Sequence, residues 1–251
     1  MKVKTVGDGE PEHAVMYCVH GNEPCGKLAV DRILHEKPEF RKPVKLVFAN
    51  EKAYKERKSQ IDKDLNRVWN SDSNDTHEEK LAEAIKREIK GMTVLDLHSS
   101  FSHPQPFGLK TRKLGKIEEQ LRKLPVGKSA SIEEAYDSQI EEIDRVAVEC
   151  GYTRTQKTIE NAYNITKDFL RHNNIIEGET EEKKHDNYNI YDKVEGSGYQ
   201  FTRKNFRKIQ KGETYAIKKD EKLKAKEDFY PVMMSTTGYR DMIGFKAKKV
   251  D

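Results

Sequence analysis

Two short stretches of this 251-residue chain combine imidazole and carboxylate at spacings that suit metal chemistry. In His20-Gly-Asn-Glu23 the i, i+3 separation lets a ring and a carboxylate converge from one tight turn. Asp96-Leu-His98 supplies a second imidazole. Two histidines and one carboxylate leave a coordination position open for water, which is the composition of a catalytic zinc site. A lone His-x-x-Glu arises often by chance, so the pair gains weight from a third element. Between them lies Asp64-Leu-Asn-Arg67, where a guanidinium beside an amide suits bidentate capture of a carboxylate. Taken alone, Asn66 and Arg67 would equally suit a capped turn with a surface ion pair.

These side chains need regular elements to hold them. Residues 14–19, 44–49 and 92–98 read as strands, and the candidate metal ligands stand at the ends of the first and third. Residues 24–36 and 77–90 place apolar side chains at helical spacing, with Pro24 suited to a first turn and Gly91 to a C-terminal stop. Residues 51–75 are polar and read as a long loop. Residues 129–150 give the longest helical pattern, with Ser131 and Glu134 resembling a capping box and Gly151 just past the end. Residues 157–160 read as a short strand and 165–176 as a helix. Strands alternating with helices predict an α/β fold: a mostly parallel (mixed) sheet sandwiched by helices. Ligands in such sheets bind at the carboxyl ends of strands, where His20, Glu23 and His98 fall. The pattern then changes. Residues 178–187 are a charge-dense linker, and the short β-type runs at 190–194, 199–202, 214–217 and 230–234 predict a small all-β module. The expected organisation is a catalytic domain at 1–177, a linker at 178–187 and a β module at 188–251.

Charged residues make up 36% of the chain, yet 47 basic against 43 acidic side chains leave a net of only +4, so the chain should fold rather than remain disordered. The surplus is local: residues 186–251 hold 15 Lys/Arg against 10 Asp/Glu. No apolar run approaches the roughly 18 residues of a membrane span, and the N-terminus lacks the apolar stretch of a signal peptide. Cys18, Cys25 and Cys150 are too few for a disulfide framework. The expectation is a soluble, cytoplasmic protein of a reducing compartment. Membrane, collagenous and disulfide-scaffold classes are excluded.

The order HxxE, DLNR, DLH resembles the succinylglutamate desuccinylase/aspartoacylase family of zinc hydrolases, within the wider zinc-carboxypeptidase fold. The matching stretches are His20-Gly-Asn-Glu-Pro-Cys-Gly26, Ile61-Asp-Lys-Asp-Leu-Asn-Arg67 and Val94-Leu-Asp-Leu-His98. The resemblance implies one zinc per chain held by His20, Glu23 and His98, and a substrate carboxylate held by Asn66 and Arg67. It implies a glutamate on a later strand that activates the zinc-bound water, matched to Glu160 in Thr158-Ile-Glu-Asn161. It also implies that the C-terminal β module partly covers the active-site mouth, with Tyr188 to Glu195 and Tyr230-Pro-Val232 as its opening and closing strands. Tyr239 falls where the family has a substrate-reaching tyrosine, and Arg154 is a candidate second contact to the substrate carboxylate. Two positions depart from the family pattern. Ser59 stands where an arginine usually stabilises the oxyanion, with Arg57 and Lys58 as neighbouring substitutes, and Asn161-Ala162 follows the matched glutamate where glycine is usual.

These expectations favour a zinc-dependent amidohydrolase acting on a small anionic N-acyl amino acid of the acetyl-aspartate or succinyl-glutamate type. A carboxypeptidase-like metallopeptidase is the alternative. A non-enzymatic nucleic-acid binder would use Arg203–Lys208 and Lys218–Lys226, but Asp220 and Glu221 interrupt that cluster. A positive module over the mouth would instead attract anionic substrates. The sequence sets no oligomeric state, and a homo-oligomer is compatible with it.

Overall fold

The computed structural model describes residues 1–110, 115–131 and 143–250. In chain order the elements are β1 (Lys2–Val6), β2 (His13–Tyr17), α1 (Cys25–Glu36), β3 (Val44–Phe48), α2 (Glu51–Lys55), a 3-10 turn (Leu65–Arg67), α3 (His77–Ile89), β4 (Thr93–Ser100), β5 (Phe107–Lys110), α4 (Gly115–Lys123), β6 (Lys128–Ser131), β7 (Asp144–Tyr152), α5 (Gln156–His172), β8 (Asp186–Glu195), β9 (Gln200–Phe201), β10 (Thr214–Lys218), β11 (Glu221–Lys224), β12 (Tyr230–Val232) and β13 (Met242–Val250).

Ten strands form one sheet in the order β1-β3-β2-β4-β7-β5-β6-β8-β13-β12, and β11-β10-β9 form a second, small sheet. The centre, β3-β2-β4-β7, is parallel. Pairing turns antiparallel at β1, between β7 and β5, and among β8, β13 and β12. The α/β alternation therefore delivers the predicted mixed, carboxypeptidase-like architecture. The C-terminal stretch divides between the two sheets. β8, β12 and β13 extend the main sheet, so the boundary drawn at 177/188 falls within a continuous sheet.

Each face of the sheet has its own core. Leu95, Leu97, Val146 and Val148 pack with α1, α4 and α5, through Ala29, Ile33, Leu121, Ile165 and Phe169. Ala14, Met16 and Val94 pack on the other face with Leu81, Ile85, Ile89 and Trp69. Strand alternation then forces Asp96 and His98 onto the second face with Val94, and β4–β7 register sets Arg145, Ala147 and Glu149 beside them.

Two sequence expectations change here. Residues 128–131 and 144–152 are strands β6 and β7, not parts of a helix; residues 132–142, including Glu134, lie outside the described residues. Ala-Ser-rich and charged spacing mimics a helical repeat there, but the run Val146–Cys150 is buried on both faces, as a central parallel strand must be. Conversely, the strand expected at 157–160 is the start of α5, capped by Thr155, whose side chain accepts from Thr158 N.

His103 is half-buried against Phe107 and Phe206, with ring centroids 6.0 and 5.1 Å away. Burial lowers its pKa to about 4, so it packs there as a neutral ring. Close by, the Asn205 amide donates to Ser102 O and Met234 O at 2.8 Å each, fixing the C-terminal segment to the loop that follows His98.

Candidate metal centre

The turn after β2 brings His20 and Glu23 together, and the end of β4 brings His98 to them. Glu23 is the hub. Its Oε1 lies 2.9 Å from His20 Nδ1, its Oε2 lies 3.2 Å from His98 Nδ1, and Oε2 also accepts from Ser99 N at 2.9 Å. The three donor atoms lie within 4.8 Å of one another. Gly21 permits the turn: a Cβ there would sit 2.2 Å from the Ala53 carbonyl carbon, and Gly21 N donates to Ser59 O. Cys25 is buried and donates to His98 O, a packed residue at the start of α1.

Behind each ring stands another carboxylate. His20 Nε2 is 3.0 Å from Asp64 Oδ1, and His98 Nε2 is 3.0 Å from Asp96 Oδ2. Each imidazole is thus held by its far nitrogen and presents Nδ1 to the centre, the arrangement that orients metal-bound histidines. Burial alone would keep the rings neutral, but Glu23, Asp64 and Asp96 outweigh it. His20 is raised to about 10 and His98 is raised well above its usual value. Against the same burial, the two rings hold Glu23 down to about 2. A site whose field favours positive charge this strongly suits a divalent cation, and the two-nitrogen, one-carboxylate donor set suits zinc.

Glu149 completes the centre. It stands directly across from His98 in the β4–β7 register and is 6% exposed. Its Oε2 is buried with no hydrogen-bond partner among the described residues. Burial, reinforced by Glu23 and Asp96, raises its pKa to about 7 against the opposing pull of the two histidines. A carboxylate poised near neutrality beside an open ligand set is the profile of a general base.

Glu160, matched to that role from the sequence, lies elsewhere. It is on α5, in the helical layer on the opposite face of the sheet from His98, with its side chain 39% exposed and paired to Arg32 of α1 at 2.8 Å. The signal for Glu149 was present in the sequence: one acid inside the apolar run Val-Ala-Val-Glu-Cys, followed by Gly151 one residue on.

The long polar loop is ordered from beneath by Glu78. This fully buried carboxylate accepts from the backbone N–H groups of Ile61, Asp62 and Lys63 at 2.7, 2.9 and 3.0 Å, and from the Asn50 amide at 3.0 Å. Burial pushes its pKa up, but these donors outweigh burial and hold it below the usual range. The folded-state value is depressed, so the stabilisation is complete above the ordinary carboxylate range and is lost as pH falls through the folded value. Glu78→Gln is expected to cost about 1–3 kcal/mol at pH 7, with the gap to wild type narrowing on acidification. Urea denaturation at neutral and acidic pH measures it; a pH-independent gap would contradict the assignment.

On that loop Asp64 caps the 3-10 turn, accepting from Asn66 N at 2.9 Å while its Oδ1 also meets His20. Asn66 Oδ1 accepts from Trp69 Nε1 at 3.1 Å and from Arg145 Nη1 at 3.3 Å, which turns its NH2 group away from those donors. Arg67 is 40% exposed, with Nη1 donating to Asn66 O at 3.2 Å. Arg154 is exposed in the β7–α5 turn at φ 64°, next to Thr153, whose hydroxyl lies 3.1 Å from that of Ser99. Tyr239 packs edge-on to Phe245, in the core shared by β5 and β13. Near the oxyanion departure, Ser59 supports Gly21 through its carbonyl, Lys58 pairs with Glu56 at 2.7 Å, and Arg57 is exposed.

This sheet order and its flanking helices define a carboxypeptidase-like architecture. Residues 10–111 match the family model described as the succinylglutamate desuccinylase/aspartoacylase catalytic domain, so the chain resembles that family in sequence as well as in fold. Among solved structures, it is similar to a succinylglutamate desuccinylase/aspartoacylase from Rhodobacter sphaeroides, at 16% identity and TM-score 0.78, over 99% of this chain and 89% of that one. It is similar to murine aminoacylase 3, at 17% identity and TM-score 0.74, over 97% of each chain. It is also similar to the ectoine utilization protein EutE (DoeB) from Ruegeria pomeroyi, at 16% identity and TM-score 0.76, over 99% and 88%. No curated protein matches the chain by sequence.

Proposed function

We propose that this protein is a zinc-dependent deacylase that hydrolyses the amide bond of a small anionic N-acyl amino acid. The observation that carries the reading is Glu149 beside the His20–Glu23–His98 cluster, with the Asn66–Arg67 turn tied to that cluster through Asp64. His20, Glu23 and His98 would hold the metal, which when bound polarises the scissile carbonyl and acidifies water. Glu149 takes the proton of the attacking water and returns it to the leaving amine. Arg67 and the Asn66 amide anchor the substrate carboxylate, setting the acyl carbon against the cluster. Arg154, exposed in the β7–α5 turn, is the further carboxylate contact in this reading. Tyr239 supplies a further substrate contact in this reading.

Two further observations support a small substrate. Asn205 ties the C-terminal segment to the loop after His98, which favours a covered mouth over an open peptide cleft. Three basic side chains of the C-terminal region are engaged in place: Lys208, Lys246 and Lys249 pair with Asp228, Asp192 and Asp186 at 2.8, 2.7 and 2.8 Å. Those three are less available to a nucleic-acid backbone. Among the described residues no helix is long and apolar enough to cross a membrane.

The zinc-loaded protein is expected to release free amine from members of a panel containing N-acetyl-aspartate, N-succinyl-glutamate and related acyl-amino acids, and to leave short peptides intact. Cleavage confined to peptides would replace this reading with the carboxypeptidase one.

A further inference from the structure

Arg145 lies deep beneath the centre, 4% exposed, on the face of β7 that carries Glu149. Its Nη1 donates in two directions, to Asp96 Oδ2 at 3.2 Å and to Asn66 Oδ1 at 3.3 Å. Each acceptor also has a second partner, His98 for one and the core residue Trp69 for the other. Asp96 Oδ2 also receives His98 Nε2 at 3.0 Å, and Asn66 Oδ1 also receives Trp69 Nε1 at 3.1 Å. The guanidinium carbon lies 5.8 Å from the centroid of the Trp69 ring.

We propose that Arg145 is a positioning residue that couples the metal centre to the substrate-carboxylate anchor, by holding Asp96 behind His98 and the Asn66 amide behind Arg67. The substrate half of this proposal rests on the deacylase reading; the metal half does not. Asp96 is fully buried, and Arg145 supplies the cation that lets it stay there while it orients the His98 ring. Asn66 can present both N–H bonds to a carboxylate only while its oxygen is engaged from behind. One nitrogen, Nη1, reaches both acceptors; a lysine ammonium ends one bond short of it, where the guanidinium carbon stands, so it keeps a positive charge beside Asp96 without bonding both.

The test compares Arg145→Met, Arg145→Lys, Asn66→Ala and the double variant Arg145→Met/Asn66→Ala in the full chain. Zinc affinity is read by chelator competition, thermal midpoint by calorimetry, and KM and kcat with N-acetyl-aspartate or N-succinyl-glutamate, whichever is turned over. Arg145→Met should weaken zinc binding about 10–100-fold and raise KM about tenfold. Arg145→Lys should restore zinc affinity to within about threefold of wild type while KM stays raised, because only the charge is replaced. The double variant should have the KM of Asn66→Ala alone, since Arg145 reaches the substrate only through Asn66. A lowered thermal midpoint with wild-type zinc affinity and KM would reduce Arg145 to a structural ion pair and overturn the proposal, as would multiplicative KM effects in the double variant. If Arg145→Met does not fold, the lysine variant alone decides: zinc affinity and KM that move together refute the two-armed role. If neither acyl-amino acid is turned over, the deacylase reading fails separately, and zinc affinity still judges the Asp96 arm.

Discussion

Glu149→Gln is expected to lower kcat by about 10²–10⁴-fold with bound zinc unchanged. The amide keeps the shape of the side chain and its place across from His98, but it cannot accept a proton. Metal content should hold because the proposed ligands are His20, Glu23 and His98, not Glu149. The fold should not suffer, since the substitution removes a buried acid whose Oε2 is without a partner among the described residues. Glu160→Gln provides the matched control. Among the described residues its carboxylate pairs with Arg32 alone, on the far helical layer, so turnover should stay within about twofold of wild type and stability within about 1 kcal/mol. Metal analysis and steady-state kinetics on the two variants separate the roles. Wild-type turnover in Glu149→Gln, or a collapse in Glu160→Gln, would reverse the assignment.

The proposed exchange of one glutamate for the other shows what was readable from the chain and what was not. His20, Glu23 and His98 were legible because each sits at the end of a short apolar run, and the end of a strand is fixed by local pattern. Asp64, Asn66 and Arg67 were legible as a polar turn for the same reason. Glu149 was hidden by a misread period. Acidic and small residues before Ile143 extend a helical spacing into Val146–Cys150, and once that segment is read as a helix its glutamate has no strand end to occupy. Which of two parallel strands lies beside His98 is a matter of tertiary register, which sequence pattern does not encode. The supporting groups were invisible for a related reason. Glu78, Asp96 and Arg145 are charged residues of the kind expected in solvent, and they are buried because each is met by partners distant in sequence. The C-terminal strands were legible as strands, but not as an extension of the main sheet, because the parallel pairing of β8 with β6 links segments far apart in the chain.

His98→Ala is expected to remove the metal. Wild-type protein purified without added metal should carry about one zinc per chain, as a three-ligand site with an open position does. Removing one of the two imidazoles leaves Glu23 and His20, too few donors to retain zinc through a desalting step. The consequence for the fold is smaller and has a distinct origin. Asp96, fully buried, loses its contact with His98 Nε2 but keeps Arg145 at 3.2 Å, so the carboxylate remains paired and the strand remains seated. Some destabilisation follows from the space left by the ring and from the weakened hold on Asp96, about 1–3 kcal/mol. Elemental analysis combined with circular dichroism tests both halves: zinc content near zero with a native spectrum is the expected result. Retained zinc in a folded variant would show that His98 is not a ligand. The same measurement on Asp96→Asn should give an intermediate outcome, with metal still present but bound about 10–100-fold more weakly, because that substitution loosens the ring without removing the donor.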